Sequence, residues 1–268
     1  MIETAYAKIN LALHIRRRRD DGYHALETLF AFVDQGDQLS ASPAARDVCH
    51  VKGEFAGALD NATGNIVMQA LTVLKHVPGW AVSLEKRLPV AAGLGGGSAD
   101  AGAIFRMVAR WGGLPDDWRT RAAKLGADVP ACVESHACIG LGTGTELQPV
   151  ENDLAGMPVL LVNPRVPLST GPVFKGWDGV DRGALPQGSA RAIALEGRND
   201  LETPAIALCP VIADVLAALA ETQPLLARMS GSGATCFALY ERHDVMDKAL
   251  EYMASCHPEW WTLAGKLR

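Results

Sequence analysis

The sequence predicts an α+β fold in two lobes, and three observations carry that prediction. Stretches with strand periodicity and stretches with helical periodicity are mixed along the chain. Two glycine-rich turns, G-L-G-G-G at 93–97 and S-G-S-G at 230–233, each adjoin a regular element. Charge, Asn and Gly cluster between Val150 and Gly156, just ahead of a strand-like stretch from Pro158 to Val162. This places a boundary that gives lobes 1–152 and 153–268, and 268 residues are enough to bury a sizeable core.

Taken in order, Ala7 to Ile15 alternates apolar and polar residues and reads as a strand, with Ile9, Leu11, Leu13 and Ile15 on one face and Lys8 and Asn10 on the other. Asp20-Asp21-Gly22 makes a turn, His24 to Val33 resumes as a strand, and Asp34 to Asp37 turns again. Residues 65–77 read as a helix with Ile66, Ala70, Leu71 and Leu74 inward. Trp80 to Leu84 is a short strand leading through Lys86-Arg87-Leu88-Pro89 into the glycine loop. After the loop, Ser98 is placed to cap a helix whose apolar stripe is Ile104, Phe105, Val108 and Trp111, and Gly112-Gly113 with Pro115 stop it. A second helix over 116–125 leads to the turn Gly126-Ala127-Asp128-Val129-Pro130, and a hairpin-like pair follows, broken by I-G-L-G-T-G-T. The second lobe reads as a Gly- and Pro-rich loop (164–190), a helix over 205–222, the glycine turn and strand of M-S-G-S-G-A-T-C-F-A-L-Y, and a closing helix over 245–255.

Composition narrows the function. The net charge of −5 argues against nucleic acid as a partner, because phosphate-backbone binding wants a basic surface. Arg16 to Arg19 is a solvated loop or a means of drawing in an anionic substrate. The six cysteines form no C-x-x-C pair and no zinc spacing, so no metal site is expected from them, and Cys236 in A-T-C-F-A-L reads as a buried reduced thiol. The start M-I-E-T-A-Y-A-K lacks the apolar core of a signal peptide and no stretch reaches membrane-span length, so the expectation is a cytoplasmic protein with no membrane partner. Oligomeric state is not encoded in any pattern, and a homodimer is left open.

The segment P-V-A-A-G-L-G-G-G-S-A-D, from Pro89 to Asp100, is the strongest chemical signal. Glycines let backbone N–H groups approach a ligand closely, and such a run emptying into a helix N-terminus forms a site for phosphate. It is not a P-loop, since Gly97 is followed by Ser98 and no Gly-Lys-Ser/Thr ending exists. It does not fit the dinucleotide fingerprint, because Ser98 stands where the third glycine should be.

Three segments, A-Y-A-K-I-N-L-A-L, the glycine loop and S-G-S-G-A-T-C-F, stand in an order that resembles the GHMP small-molecule kinase superfamily. D-G-Y-H-x-L-x-T-L-F and L-G-A-D-V-P look like the branch whose substrate is a cytidine diphosphate-linked methylerythritol. The resemblance implies a lobe like domain 2 of ribosomal protein S5 followed by a ferredoxin-like lobe. It also implies transfer of phosphate from ATP to a small-molecule hydroxyl, with Mg²⁺ balancing the triphosphate charge. The loop of Pro89, Val90, Ala91, Ala92, Gly93, Leu94, Gly95, Gly96, Gly97, Ser98 and Ala99 would then hold ATP, through the backbone N–H groups of the residues after Pro89, and Asn65 would contact its adenine.

The same resemblance gives roles to residues whose own signals are divided. Asp128 is either a turn carboxylate that satisfies local N–H groups or the base that takes the hydroxyl proton. Lys8 is either a solvated strand lysine or a catalytic partner that keeps Asp128 ionised and stabilises charge at the reacting oxygen. Resemblance selects the catalytic role for both. It also makes Asn10 a substrate ligand, Tyr23 and His24 the lining of a cytidine pocket, Phe174 the second wall of that stack, and Thr170 a further contact. Asp100 either stabilises the first turn of the loop helix or helps hold Mg²⁺, and the first is preferred. Gly231 and Gly233 are expected to leave room for ligands.

Overall fold

The computed structural model describes residues 1–58, 66–75 and 79–268. Asn65 and the ends of the helix expected over 65–77 lie outside the described residues. The chain forms two compact units, and neither is a continuous stretch. The first comprises Met1–Lys8, Gln35–Val90 and Gly95–Ser135, and the second Ile9–Asp34, Ala91–Leu94 and His136–Arg268. Two long strands, β1 (Ile2–Arg18) and β2 (His24–Ala44), each contribute one end to each unit.

In the first unit, the later half of β2 pairs antiparallel with β4 (Gly79–Glu85), from Gln38 opposite Glu85 to Ala44 opposite Gly79. β4 in turn runs parallel to β3 (Val48–Lys52). The helices are α1 (Ile66–Leu74), α2 (Gly96–Gly112), α3 (Trp118–Leu125) and α4 (Val129–Glu134). α2 packs against α1 and α4. From Ala99 to Val108 every residue of α2 except Arg106 is buried, so this helix is the core of the unit. Each large apolar side chain buried there, such as Ile104 or Phe105, contributes about 1.5–3 kcal/mol. Arg106 ties three pieces together: its guanidinium donates to Glu3 Oε1 at 2.8 Å, to the Thr4 carbonyl at 2.7 Å and to Ser135 Oγ at 2.9 Å. β1 and the end of α4 are thereby fixed to α2.

The second unit contains the pairing of early β2 with β5 (Cys138–Gly142), which continues as a hairpin to β6 (Glu146–Pro149). A separate antiparallel sheet has the order β10-β7-β9-β8, built from β7 (Pro158–Asn163), β8 (Leu226–Met229), β9 (Cys236–Leu239) and β10 (Trp261–Lys266). Helices α5 (Thr170–Lys175), α6 (Ala190–Glu196), α7 (Glu202–Leu208), α8 (Val211–Glu221) and α9 (His243–Cys256) complete the unit. With α8 and α9 as crossovers, that strand order is the ferredoxin-like split βαβ arrangement. The expected α+β fold class stands.

Four local expectations are corrected. Asp34 to Asp37 is not a turn, and β2 runs straight through it. Gly36 is there because a Cβ would lie 1.9 Å from the Ala5 carbonyl oxygen, so the glycine permits close strand approach. α2 begins at Gly96 with Gly95 as its N-cap, and Ser98, already inside the helix, does not cap it. Trp111 stays half exposed, set edge-on to Trp80 and not buried in the stripe. The helix expected over 205–222 is two helices, because Pro210 lacks an N–H and forces Cys209 out of helical geometry (φ −141°, ψ 80°). The strands β8 and β10 and the short helix α4 have no clear periodicity in the sequence, and β10 contains the apparent breaker Gly265.

Candidate active site

The glycine loop delivers the N-terminus of α2 to a lysine–aspartate pair within the first unit. Gly95 adopts φ 61°, ψ 25°, a left-handed conformation that glycine reaches without strain. A Cβ on Gly95 would lie 3.0 Å from Lys8 Cε and 3.7 Å from Asp128 Oδ2, so a larger residue here would press on both side chains. Lys8 Nζ stands 3.2 Å from Asp128 Oδ2. Lys8 is 4% exposed, whereas the Asp128 side chain is 31% exposed. Asp128 occupies the N-cap position of α4 yet makes no side-chain capping hydrogen bond. Its carboxylate faces the lysine and solvent and does not serve its own helix. Ser98 Oγ lies 3.6 Å from where a Cβ on Gly126 would be, which sets the hydroxyl beside the G-A-D-V-P turn.

A second, closed ionic group lies at the same helix end. Lys86 Nζ bonds Asp37 Oδ2 and, at 2.8 Å, Asp100 Oδ2. Asp37 Oδ1 also accepts the N–H groups of Arg87 (2.6 Å) and Leu88 (2.9 Å), fixing the approach to the loop. All three charged residues are buried. Burial pushes the Asp100 carboxyl up to about 8, with Asp37 adding to the rise and Lys86 opposing it. Asp100 is the fifth residue of α2, past its first turn, and its Oδ2 serves this cluster, so the preferred first-turn dipole role does not describe it. The remaining oxygen, Oδ1, has no hydrogen-bond partner among the described residues. Among the described residues no group of three or more His, Cys, Asp or Glu could cage a metal ion.

The second unit assembles the residues expected to meet substrate. Asn10 is 3% exposed, and its Nδ2 donates to Thr28 Oγ1 at 2.7 Å, which donates to the Ala12 carbonyl. The Asn10 backbone N–H donates to Ser230 Oγ (3.1 Å), and Ser230 Oγ donates to the Gly93 carbonyl (2.9 Å). These bonds fix the Asn10 amide and tie the 91–94 part of the loop to the S-G-S-G turn. In that turn Gly231 and Gly233 adopt φ 56° and 83°, and a Cβ would meet Asn10 Oδ1 at 3.0 Å or Met229 Sδ at 2.7 Å. The crowding these glycines relieve therefore comes from the protein's own atoms. Thr170 Oγ1 lies 3.0 Å from Ser232 Oγ.

The aromatic residues divide. Tyr23 is 67% exposed, whereas His24 is buried with its ring centroid 5.2 Å from Phe174 and 5.7 Å from Trp177. Burial, then the Arg18 charge, holds the His24 imidazole below its ordinary pKa, so it is neutral at pH 7. Trp177, Thr28, Ser230 and the Lys86–Asp37 contact carry no signal in the sequence pattern that marks them as parts of these sites. Lys86 stood in plain view within K-R-L-P, but Asp37 was hidden by reading D-Q-G-D as a turn.

The pattern described as the GHMP kinases N terminal domain matches residues 65–136, and that of the GHMP kinases C terminal matches residues 184–259. The chain is 69% identical over 266 residues to the 4-diphosphocytidyl-2-C-methyl-D-erythritol kinase of Novosphingobium aromaticivorans, covering 99% of this chain and 92% of the relative. It is 61% identical to the protein of the same name from Erythrobacter litoralis, covering 99% of each. A crystal structure of 4-(cytidine 5'-diphospho)-2C-methyl-D-erythritol kinase superposes with TM-score 0.83 at 30% identity, covering 100% of this chain and 99% of the other. The homoserine kinase from Cytophaga hutchinsonii superposes with TM-score 0.65 at 16% identity over 99% of this chain and 94% of its own, a likeness of fold alone. The chain belongs to the GHMP kinase family, in the branch of the 4-diphosphocytidyl-2-C-methyl-D-erythritol kinases.

Proposed function

We propose that this enzyme transfers the γ-phosphoryl group of ATP to the 2-hydroxyl of 4-diphosphocytidyl-2-C-methyl-D-erythritol, giving the 2-phosphate and ADP in non-mevalonate isoprenoid precursor synthesis. The observation that carries the chemistry is the Lys8–Asp128 pair, 3.2 Å apart beside the N-terminus of α2. Asp128 takes the proton of the 2-hydroxyl as its oxygen bonds the γ-phosphorus, and the bond to the departing ADP oxygen breaks. Lys8 stabilises the negative charge that develops on the reacting oxygens. The glycine loop, Pro89 to Ala99, binds the phosphates of ATP through its N–H groups and the helix end, with Ser98 adding a hydroxyl. Asn65 contacts the adenine.

On the acceptor side, His24 and Phe174 receive the cytosine, Tyr23 closes over it, and Asn10 and Thr170 bond the rest of the substrate. Asn10 suits this role because Thr28 and Ser230 already fix its orientation. Mg²⁺ fits the site only as an ion carried on the triphosphate with its own waters, which is how this ion is usually held. The partly exposed Asp128 carboxylate is the protein group suited to approach it, whereas Asp100 is committed to Lys86. When bound, the ion would neutralise charge on the phosphates. We assign ATP binding and catalysis to residues 1–152 and the remaining role to residues 153–268. We also place the enzyme in the cytoplasm, acting on a small molecule and not on nucleic acid or membrane.

The test is ATP consumption against a panel of 4-diphosphocytidyl-2-C-methyl-D-erythritol, homoserine and mevalonate. Turnover confined to the first supports the proposal. Equal or greater turnover of either other alcohol overturns it.

A further inference from the structure

The aromatic cluster in the second unit contains two buried nitrogens without a hydrogen-bond partner among the described residues, the Trp177 indole N–H and His24 Nε2. A histidine ring is usually oriented by a hydrogen bond to one of its nitrogens. Around His24, flat carbon surfaces meet the ring instead: Phe174 tilted at 42° and Trp177 edge-on at 84°. Trp177 itself is 3% exposed and packs in the core of the unit.

The two rings are carried on one tight turn at the end of α5. The Gly176 N–H donates to the Pro172 carbonyl at 3.0 Å and the Trp177 N–H to the Phe174 carbonyl at 3.2 Å. Two carbonyls of that turn are taken up by a single guanidinium: Arg18 Nη2 donates to Trp177 O at 2.7 Å and to Lys175 O at 3.1 Å. A cation on the last carbonyls of a helix is favourable, and its hydrogen bonds are of the stronger, charge-assisted kind. Arg18 is the last residue of β1, and the next residue closes the hairpin through Arg19 N–H to Tyr23 O at 2.8 Å. One hairpin therefore both presents His24 and grips the turn that carries Phe174 and Trp177.

We propose that Arg18 and Trp177 are positioning residues for nucleobase recognition: Arg18 clasps the 175–177 turn, and Trp177 sets the plane of the His24 imidazole. This gives the third member of the basic run a role other than steering. The proposal rests on the reading that a cytidine diphosphate group is what this wall receives.

Four variants test it: Arg18→Ala, Arg18→Lys, Trp177→Phe and Trp177→Ala. Steady-state kinetics, calorimetric titration with CDP, and the NMR shifts of the His24 ring protons in the ligand-free enzyme are the readouts. Arg18→Ala raises the KM for the cytidine substrate and the Kd for CDP about tenfold, with kcat within about twofold and the KM for ATP unchanged. Its His24 ring protons lose their ring-current shift. Arg18→Lys recovers part of the affinity because an ammonium reaches the same carbonyls. Trp177→Phe keeps a ring edge and stays within about threefold of wild type, whereas Trp177→Ala behaves like Arg18→Ala. The proposal is overturned if Arg18→Ala binds CDP as wild type does, loses kcat at unchanged KM, or leaves the His24 shifts in place. If the wild type binds no CDP, the functional reading fails instead, and the His24 shifts of ligand-free Arg18→Ala still decide the clasp.

Discussion

Beside the first turn of α2 the first unit holds lysine–aspartate contacts of two kinds. At Gly95, Lys8 meets Asp128, whose side chain is 31% exposed. At Gly96, Lys86 meets Asp37 and Asp100, whose side chains are 0% and 3% exposed. The residue types are the same and the helix end is the same. What differs is access: one carboxylate keeps an open side toward solvent, while the others are enclosed with their cation and with backbone N–H groups. A buried ionic group of this sort gives little net stability but is costly to break, because removal of one member strands the others. An open pair gives up little stability when altered and can still meet a substrate. The contrast in access is what the proposed function expects, with chemistry at Lys8–Asp128 and architecture at Lys86–Asp37–Asp100.

The largest expected effect breaks the comparison on the open side. Asp128→Asn should lower kcat by about 10²–10⁴-fold, the usual worth of a positioned base, with a melting temperature near that of wild type. On the closed side the pattern inverts. Lys86→Met leaves the buried Asp37 carboxylate, beside the protonated Asp100, without its cation and should cost about 3–5 kcal/mol of stability, seen as a melting temperature lower by about 6–20 °C. If Lys86→Met instead melted like wild type and lost only kcat, the two sites would have to exchange roles.

A pH scan sharpens the same contrast. Burial raises the Asp100 carboxyl to about 8, well above its unfolded value near 4. Between these two values the folded protein holds a proton that the unfolded chain has released, so this group's contribution is fully present below about pH 4 and is lost as pH rises through about 8. Asp100→Asn, which cannot ionise, should therefore melt higher relative to wild type at pH 9 than at pH 6. A difference of about 2–4 °C would correspond to about 1 kcal/mol. A constant offset across the scan would show that Asp100 does not titrate in the folded state. The smallest effect concerns Ser98. A lost N-cap typically costs about 1 kcal/mol, but Ser98 lies inside α2 without a capping bond, so Ser98→Ala should shift the melting temperature by less than about 2 °C.

These two sites also show what the sequence makes legible. Lys8 and Asp128 were found because each stands in a short motif, A-K-I-N and G-A-D-V-P, that resembles a family. Periodicity alone marked Lys8 as the face opposite Ile9 and Leu11 and did not show that both faces of β1 are buried. The Lys86 cluster was invisible for a different reason. Its members lie 14 and 49 residues from Lys86, and D-Q-G-D looks like a turn until Gly36 is seen to admit the backbone of β1. Ser98 was misplaced because a serine at a loop–helix junction is an excellent cap in general, and only the left-handed Gly95 shows that the helix starts earlier. Trp177 and Arg18 meet through carbonyl groups, which no side-chain pattern records. The ferredoxin-like sheet was expected from resemblance, while its edge strands β8 and β10 are too weakly patterned to read directly.

The most direct test compares single-turnover phosphoryl transfer from ATP to 4-diphosphocytidyl-2-C-methyl-D-erythritol in wild type and Asp128→Asn, with CDP affinity and melting temperature measured on the same preparations. A rate lower by at least about 10²-fold, with affinity and melting temperature unchanged, is the predicted result. An Asp128→Asn enzyme that keeps more than about a tenth of the wild-type rate would contradict the assignment of the open pair as the site of chemistry.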